Sequence, residues 1–291
     1  MKIVKYLGLA VVLSLTASCE KHEIAYDTTP LASNMAEYQI HYVVPLPTAS
    51  ANNMTQVTVD DSLLVNSTAP LTTFNAIPKG SVGKFFTHEA GTVNLKMYQG
   101  TTPLTLAYDQ DVTLTAGKQN IFVFDLAQAP KVFDNGGPFP FTTTMGTDST
   151  CFVKFYNFLY EAVGVPSTLK LQYQYVDTHY NNTFTPPKVI YSDTFNIGSP
   201  VLFGETTGWQ PVKVAKSVNI SAGSNKIYFL IKVIDAGGNE VGDLSIMNSK
   251  GLYQSYTENK TEYIGRRYHH ILGGLRTAKT VVTSVGEFTA L

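Results

Sequence analysis

The chain is poor in cysteine, tryptophan and charge. Its 291 residues include two cysteines and one tryptophan, and 15% are Asp, Glu, Lys or Arg. Two cysteines exclude a disulfide-dense small scaffold. So low a charge excludes a disordered polyelectrolyte, and a formal net charge of −1 gives no electrostatic ground for nucleic-acid binding. No apolar run reaches the roughly 20 residues that a helix needs to cross a bilayer. Gly-x-Ser-x-Gly, His-Glu-x-x-His and paired Cys-x-x-Cys are also missing, so the chain reads as non-enzymatic, with no cofactor and no metal assigned. What is abundant is apolar material, 44% of residues, enough at this length for two ordinary cores.

The first 19 residues have an order of their own. Lys2 and Lys5 precede an apolar run over 7–15, and small residues lead into a cysteine at Thr16-Ala17-Ser18-Cys19. That is the layout of a secretory signal. The tetrapeptide resembles the attachment site of bacterial lipoproteins, whose cysteine becomes the acylated first residue. The resemblance implies a signal peptide over 1–18, a lipid on Cys19, and the outer membrane as both partner and location. Glu20 and Glu23 resemble the acidic surface-export signals of Bacteroidetes-type lipoproteins, which implies an outward-facing protein. Removing 1–18 leaves 19 basic against 22 acidic residues. Acylation of Cys19 would leave Cys151 as the only thiol, with no intramolecular disulfide. Cys151 opens the alternating run Cys151-Phe152-Val153-Lys154-Phe155-Tyr156 and reads as a small buried residue at a strand start.

Residues 19–36 are polar and irregular, a tether. Beyond them, β-branched and aromatic segments at 38–44, 56–59, 93–98, 112–115 and 121–125 predict strands, separated by Pro- and Gly-bearing turns. Further strands are expected at 153–158, 169–175, 240–247, 268–272 and 281–285, and 158–163 admits one or two helical turns. The stretch 112–122 recurs as 218–228, with Val, Ala, Gly and Ile in register, and each copy reads as a hairpin. Asp134-Asn135-Gly136-Gly137-Pro138-Phe139-Pro140 resists regular pairing. The expected organisation is an all-β chain with two tandem antiparallel β-sandwiches, the first over 37–134, a linker over 135–147, and the second over 148–291. Strand 40–44, the segment Val57-Thr58-Val59-Asp60-Asp61-Ser62, and Thr115-Ala116-Gly117-Lys118 with Ser221-Ala222-Gly223 resemble a family of tandem Ig-like domains of unknown function in envelope lipoproteins. The resemblance implies a fold and a location without a reaction.

Candidate contacts are few. Trp209, in the presumed loop 206–211, would be a binding platform if exposed. Arg266, Arg267 and Tyr268 suit hydroxyls and carboxylates, as on a cell-surface protein or glycan. His269 and His270 adjoin them and should point to opposite faces of a solvated edge strand, where they cannot grip one metal. Asp235-Ala236-Gly237-Gly238-Asn239-Glu240 reads as a turn rather than a calcium loop, and Gly80-Ser81-Val82-Gly83-Lys84 as a hairpin turn. Thr28, Ser62 and Ser149 follow aspartates in a short pattern resembling O-glycosylation acceptors of exported Bacteroidetes proteins. The function these features point to is adhesive or structural, with glycan binding for polysaccharide uptake as the alternative.

Overall fold

The computed structural model describes residues 31–79, 83–135, 150–181, 183–185, 188–214, 223–279, 281 and 283–290. The expected signal peptide, Cys19, Thr28, Ser149, linker residues 136–147, residues 80–82 of the Gly80 turn and residues 218–222 of the repeat lie outside them. Residues from Ser33 onward belong to one compact unit. It is built from strands, and no α-helix occurs among the described residues.

Nine strands come first: β1 (Met35–Tyr42), β2 (Gln56–Val59), β3 (Ser62–Val65), β4 (Asn75–Ile77), β5 (Phe86–Glu89), β6 (Gly91–Gln99), β7 (Thr105–Leu114), β8 (Gly117–Val123) and β9 (Lys131–Asp134). They form two sheets, one ordered β3-β2-β6-β7 and the other β4-β1-β8-β9 with β5 also on β1. Tyr38, Ile40, Tyr42 and Ile121 of one sheet meet Val57, Leu95, Met97 and Val112 of the other in a buried core. Fully burying such a side chain contributes roughly 1.5–3 kcal/mol. Ser62 is exposed, just after Asp60 and Asp61, which turn the chain at φ 44° and 63°.

Twelve strands follow: β10 (Thr150–Ala162), β11 (Val165–Pro166), β12 (Lys170–Asn181), β13 (Lys188–Asn196), β14 (Thr206–Lys213), β15 (Ser224–Ile234), β16 (Glu240–Asp243), β17 (Ser245–Met247), β18 (Tyr253–Ser255), β19 (Thr257–Tyr263), β20 (Arg267–Leu275) and β21 (Ser284–Thr289). One sheet runs β11-β10-β20-β21 with β14 on β10; the facing sheet runs β13-β12-β15-β16 with β19 on β15. Cys151, Val153, Phe155, Tyr173, Phe229 and Leu272 lie in the core between them.

A third apolar cluster joins the two halves. Val43, Phe122 and Phe124 pack with Tyr156, Phe158, Tyr160, Ile271 and Leu275. The first group alternates with core residues on β8 and just past β1, and the second does so on β10 and β20, because successive strand residues point to opposite faces. The sheet of β1 and β8 therefore lies against the sheet of β10 and β20, and the four sheets stack. The two inner sheets are covered on both sides. From Cys151 to Tyr160, β10 is buried at every position, whereas β6 and β15 in the outer sheets alternate.

Five expectations change. The presumed hairpin at 112–122 is a crossover: β7 pairs with β6 in an outer sheet, and β8 pairs with β1 in an inner one. Only Thr115 and Ala116 separate the two strands, too short a link to change sheets without Gly117 at φ 98°. Its structural counterpart is the step from β19 to β20, where Gly265 has φ 79°. Antiparallel pairing dominates, but β8 runs parallel to β1 and β20 parallel to β10. Residues 158–162 extend β10 instead of turning a helix, and 206–211 belong to strand β14, whose residues pair with β10. His269 and His270 lie on a central strand, not a solvated edge, and both are fully buried.

Candidate functional site

The two histidines do face opposite ways, and each is buried in a different layer. His269 points into the layer between the halves. Its Nδ1 pairs with the Tyr156 hydroxyl at 3.0 Å, and its ring lies 5.0 Å from that of Trp209 and 6.3 Å from that of His41. His41 Nε2 stands 3.1 Å from Asn120 Oδ1, and Asn120 donates to Asn135 Oδ1 at 3.1 Å. Trp209 is half-buried and donates its indole N–H to the Asn135 carbonyl, with the Lys154 ammonium 6.0 Å from its ring centre. Lys154 itself donates to the Asp134 carbonyl at 2.7 Å, and burial pulls its pKa down to about 8. Burial likewise pulls His41 down to about 4, so it is neutral at ordinary pH. This is a polar seam inside an apolar layer.

His270 points the other way, into the second sandwich. The Tyr173 hydroxyl lies 2.9 Å from its Nδ1, and the Phe229 ring stands 5.0 Å away. On its Nε2 side, the Glu262 carboxylate approaches to 3.1 Å from β19 in the facing sheet. Glu287, directly opposite His270 on β21, completes a group whose ligand atoms lie within 4.8 Å of one another. Glu262 and His270 have no exposed surface, while Glu287 is exposed. Burial pushes Glu262 up to about 8 and His270 down to about 4. Neither oxygen of Glu262 nor His270 Nε2 has a hydrogen-bond partner. The nearby Lys260 ammonium is turned to the Val285 carbonyl at 2.8 Å and to Glu258 at 3.4 Å.

Glu287 also borders a hollow of about 310 Å³ lined by Tyr263, Arg266, Tyr268 and Phe288, among others. The Arg266 guanidinium lies 4.2 Å from the Tyr263 ring centre, a cation–π arrangement. The Tyr268 hydroxyl accepts the Tyr263 N–H at 3.0 Å, which closes the turn into β20. Of the residues singled out in the sequence, Arg266 and Tyr268 thus meet at one hollow. Arg267 points away from Tyr268 along β20, and Trp209 belongs to the seam. Glu262 and Glu287 give no signal in the sequence, since they lie on separate strands with no motif spacing and only the sheet-to-sheet packing brings them together.

The turn at 235–240 joins β15 to β16: Asp235 Oδ1 accepts the Asn239 N–H at 2.8 Å, which holds its carboxyl below the usual range. Asp243 is paired with Lys232 at 2.9 Å. Cys151 is fully buried, and its thiol is pushed well up, first by burial. No described helix is long and apolar enough to cross a membrane.

No protein-family model matches the chain, and no curated protein is similar to it. Among solved structures it is similar to that of a putative cell adhesion protein from Bacteroides ovatus, at 9% identity over 88% of this chain and 96% of that one, with a TM-score of 0.19. At that score the likeness carries no argument about site or function.

Proposed function

We propose that the chain is a non-enzymatic, lipid-anchored protein of the outer membrane, facing outward, whose joined β-sandwiches serve as an adhesive or structural module. The observation that carries this reading is the four-sheet stack. The cluster of Val43, Phe122, Phe124, Tyr156, Phe158 and Ile271 fixes one half on the other. A stiff body behind the leader and Cys19 is what holding a surface away from a membrane requires. The tandem Ig-like lipoprotein resemblance agrees with it. A glycan-binding reading needs an open ring platform, and Trp209 stands in the wall between the sandwiches with its N–H engaged, so the adhesive or structural reading is preferred.

The test is an epitope placed after Leu291 and challenged with protease on intact cells, beside lysed cells and a Cys19→Ala strain. Loss of the epitope from intact wild-type cells, and release of the Cys19→Ala protein from the membrane fraction, is the expected result. Protection until lysis would overturn outward display. Retention of the Cys19→Ala protein in the membrane would overturn lipid anchoring.

A further inference from the structure

We propose that Glu262, His270 and Glu287 form a site for one divalent transition-metal ion of the zinc class, which ties the two sheets of the second sandwich together. This goes beyond the reading as an envelope module and does not rest on it.

The donor set comes first. Histidine nitrogen and carboxylate oxygen are both zinc ligands, and zinc sites that keep a fourth position open have three protein ligands, the number that this imidazole and two carboxylates supply. They come from three strands: β19 in one sheet, β20 and β21 in the other. Spacing agrees. Zinc bound at about 2.0–2.1 Å in a tetrahedron places neighbouring ligand atoms about 3.3 Å apart. The Glu262 to His270 separation is 3.1 Å, and Glu287, exposed at the mouth, has room to close the remainder of its distance.

The second observation is independent of that clustering. Glu262 is fully buried, yet apart from the 3.1 Å approach of His270 Nε2 to one of its oxygens, which makes no hydrogen bond, its two oxygens and that nitrogen have no partner. Buried polar atoms in proteins are almost always satisfied, and among those left open in this chain these three face one another. The far side of the imidazole has an outer-shell partner: Nδ1 lies 2.9 Å from the Tyr173 hydroxyl, which can accept its proton when Nε2 is the metal-binding nitrogen. A dication would also favour the carboxylate form of Glu262 that burial disfavours. Glu287 also lines the hollow beside Arg266 and Tyr263.

The experiment uses the full chain in mild detergent, stripped with a chelator and titrated with zinc chloride by calorimetry, with bound zinc counted after desalting. The expected result is one zinc per chain and a melting temperature raised by zinc. Glu287→Gln, at an exposed position that leaves the fold intact, should weaken binding at least ~tenfold, since losing a ligand should cost no less than losing an outer-shell partner. His88→Asn reports on a second His–carboxylate pair among the described residues, His88 with Asp60 at 3.6 Å on the surface, and should change nothing. Failure to retain stoichiometric zinc, a Glu287→Gln effect below ~tenfold, or loss of binding in His88→Asn would each overturn the site.

Discussion

His41 shows how one side chain sets the response to acid. Burial pulls its pKa from 6.5 to about 4. The unfolded chain therefore binds a proton below about pH 6.5 that the folded chain refuses until about pH 4, so stability falls as pH falls through that window. Among the groups facing it, the Asn120 amide oxygen favours the charged form but is outweighed by burial, the Phe122 and Phe288 rings carry no charge, and His269 is itself kept neutral by burial. His41→Gln keeps a donor for Asn120 and removes the titration. Between pH 7 and pH 5 the wild type should lose on the order of 1–2 kcal/mol more unfolding free energy than this variant. Urea titrations at the two pH values measure the difference, and equal losses would refute the argument.

At the scale of elements, the central strands carry a packing demand that the outer ones do not. β20 is buried on both faces, and at Gly273 the other half of the molecule comes so near that an added Cβ would stand 2.9 Å from the Phe74 ring. Phe74 cannot easily retreat, since it sits at φ 59° beside β4 and packs on the third cluster. Gly273→Val should destabilise by about 1–3 kcal/mol through overpacking. Phe74→Ala in the same chain should restore part of that loss, because the two positions share one contact. Chemical denaturation of the two single variants and the pair gives the coupling; additive effects would show that the ring and the strand do not meet.

For the whole molecule, the decisive feature is that the two sandwiches share a core. Phe122 and Phe158 are fully buried there and stack at 5.0 Å. Truncating a buried Phe to Ala typically costs 3–5 kcal/mol, and here the loss falls on the joint and not on either sandwich. The wild type should melt as one cooperative transition in calorimetry. Phe122→Ala with Phe158→Ala should split it into two. Two transitions in the wild type would mean that the joint contributes little.

The sequence by itself determined the class of the fold. Period-two apolar runs and β-branched residues marked β1, β2, β6, β10 and β20 close to where they occur, because side chains alternate along any strand wherever it ends up. It determined the burial of Cys151 and the opposite faces of His269 and His270 for the same reason. What the tertiary structure decided was which surfaces are covered. Gln39, His41, Lys154 and His269 alternate with core residues along their strands, and only the second sheet laid over them makes them interior. The sheet change after Leu114 was equally hidden, since a short Gly-bearing link serves a hairpin and a crossover alike. Glu262, His270 and Glu287 come from β19, β20 and β21 and meet only when two sheets close, because a site assembled across a sandwich leaves no spacing in the chain to be recognised.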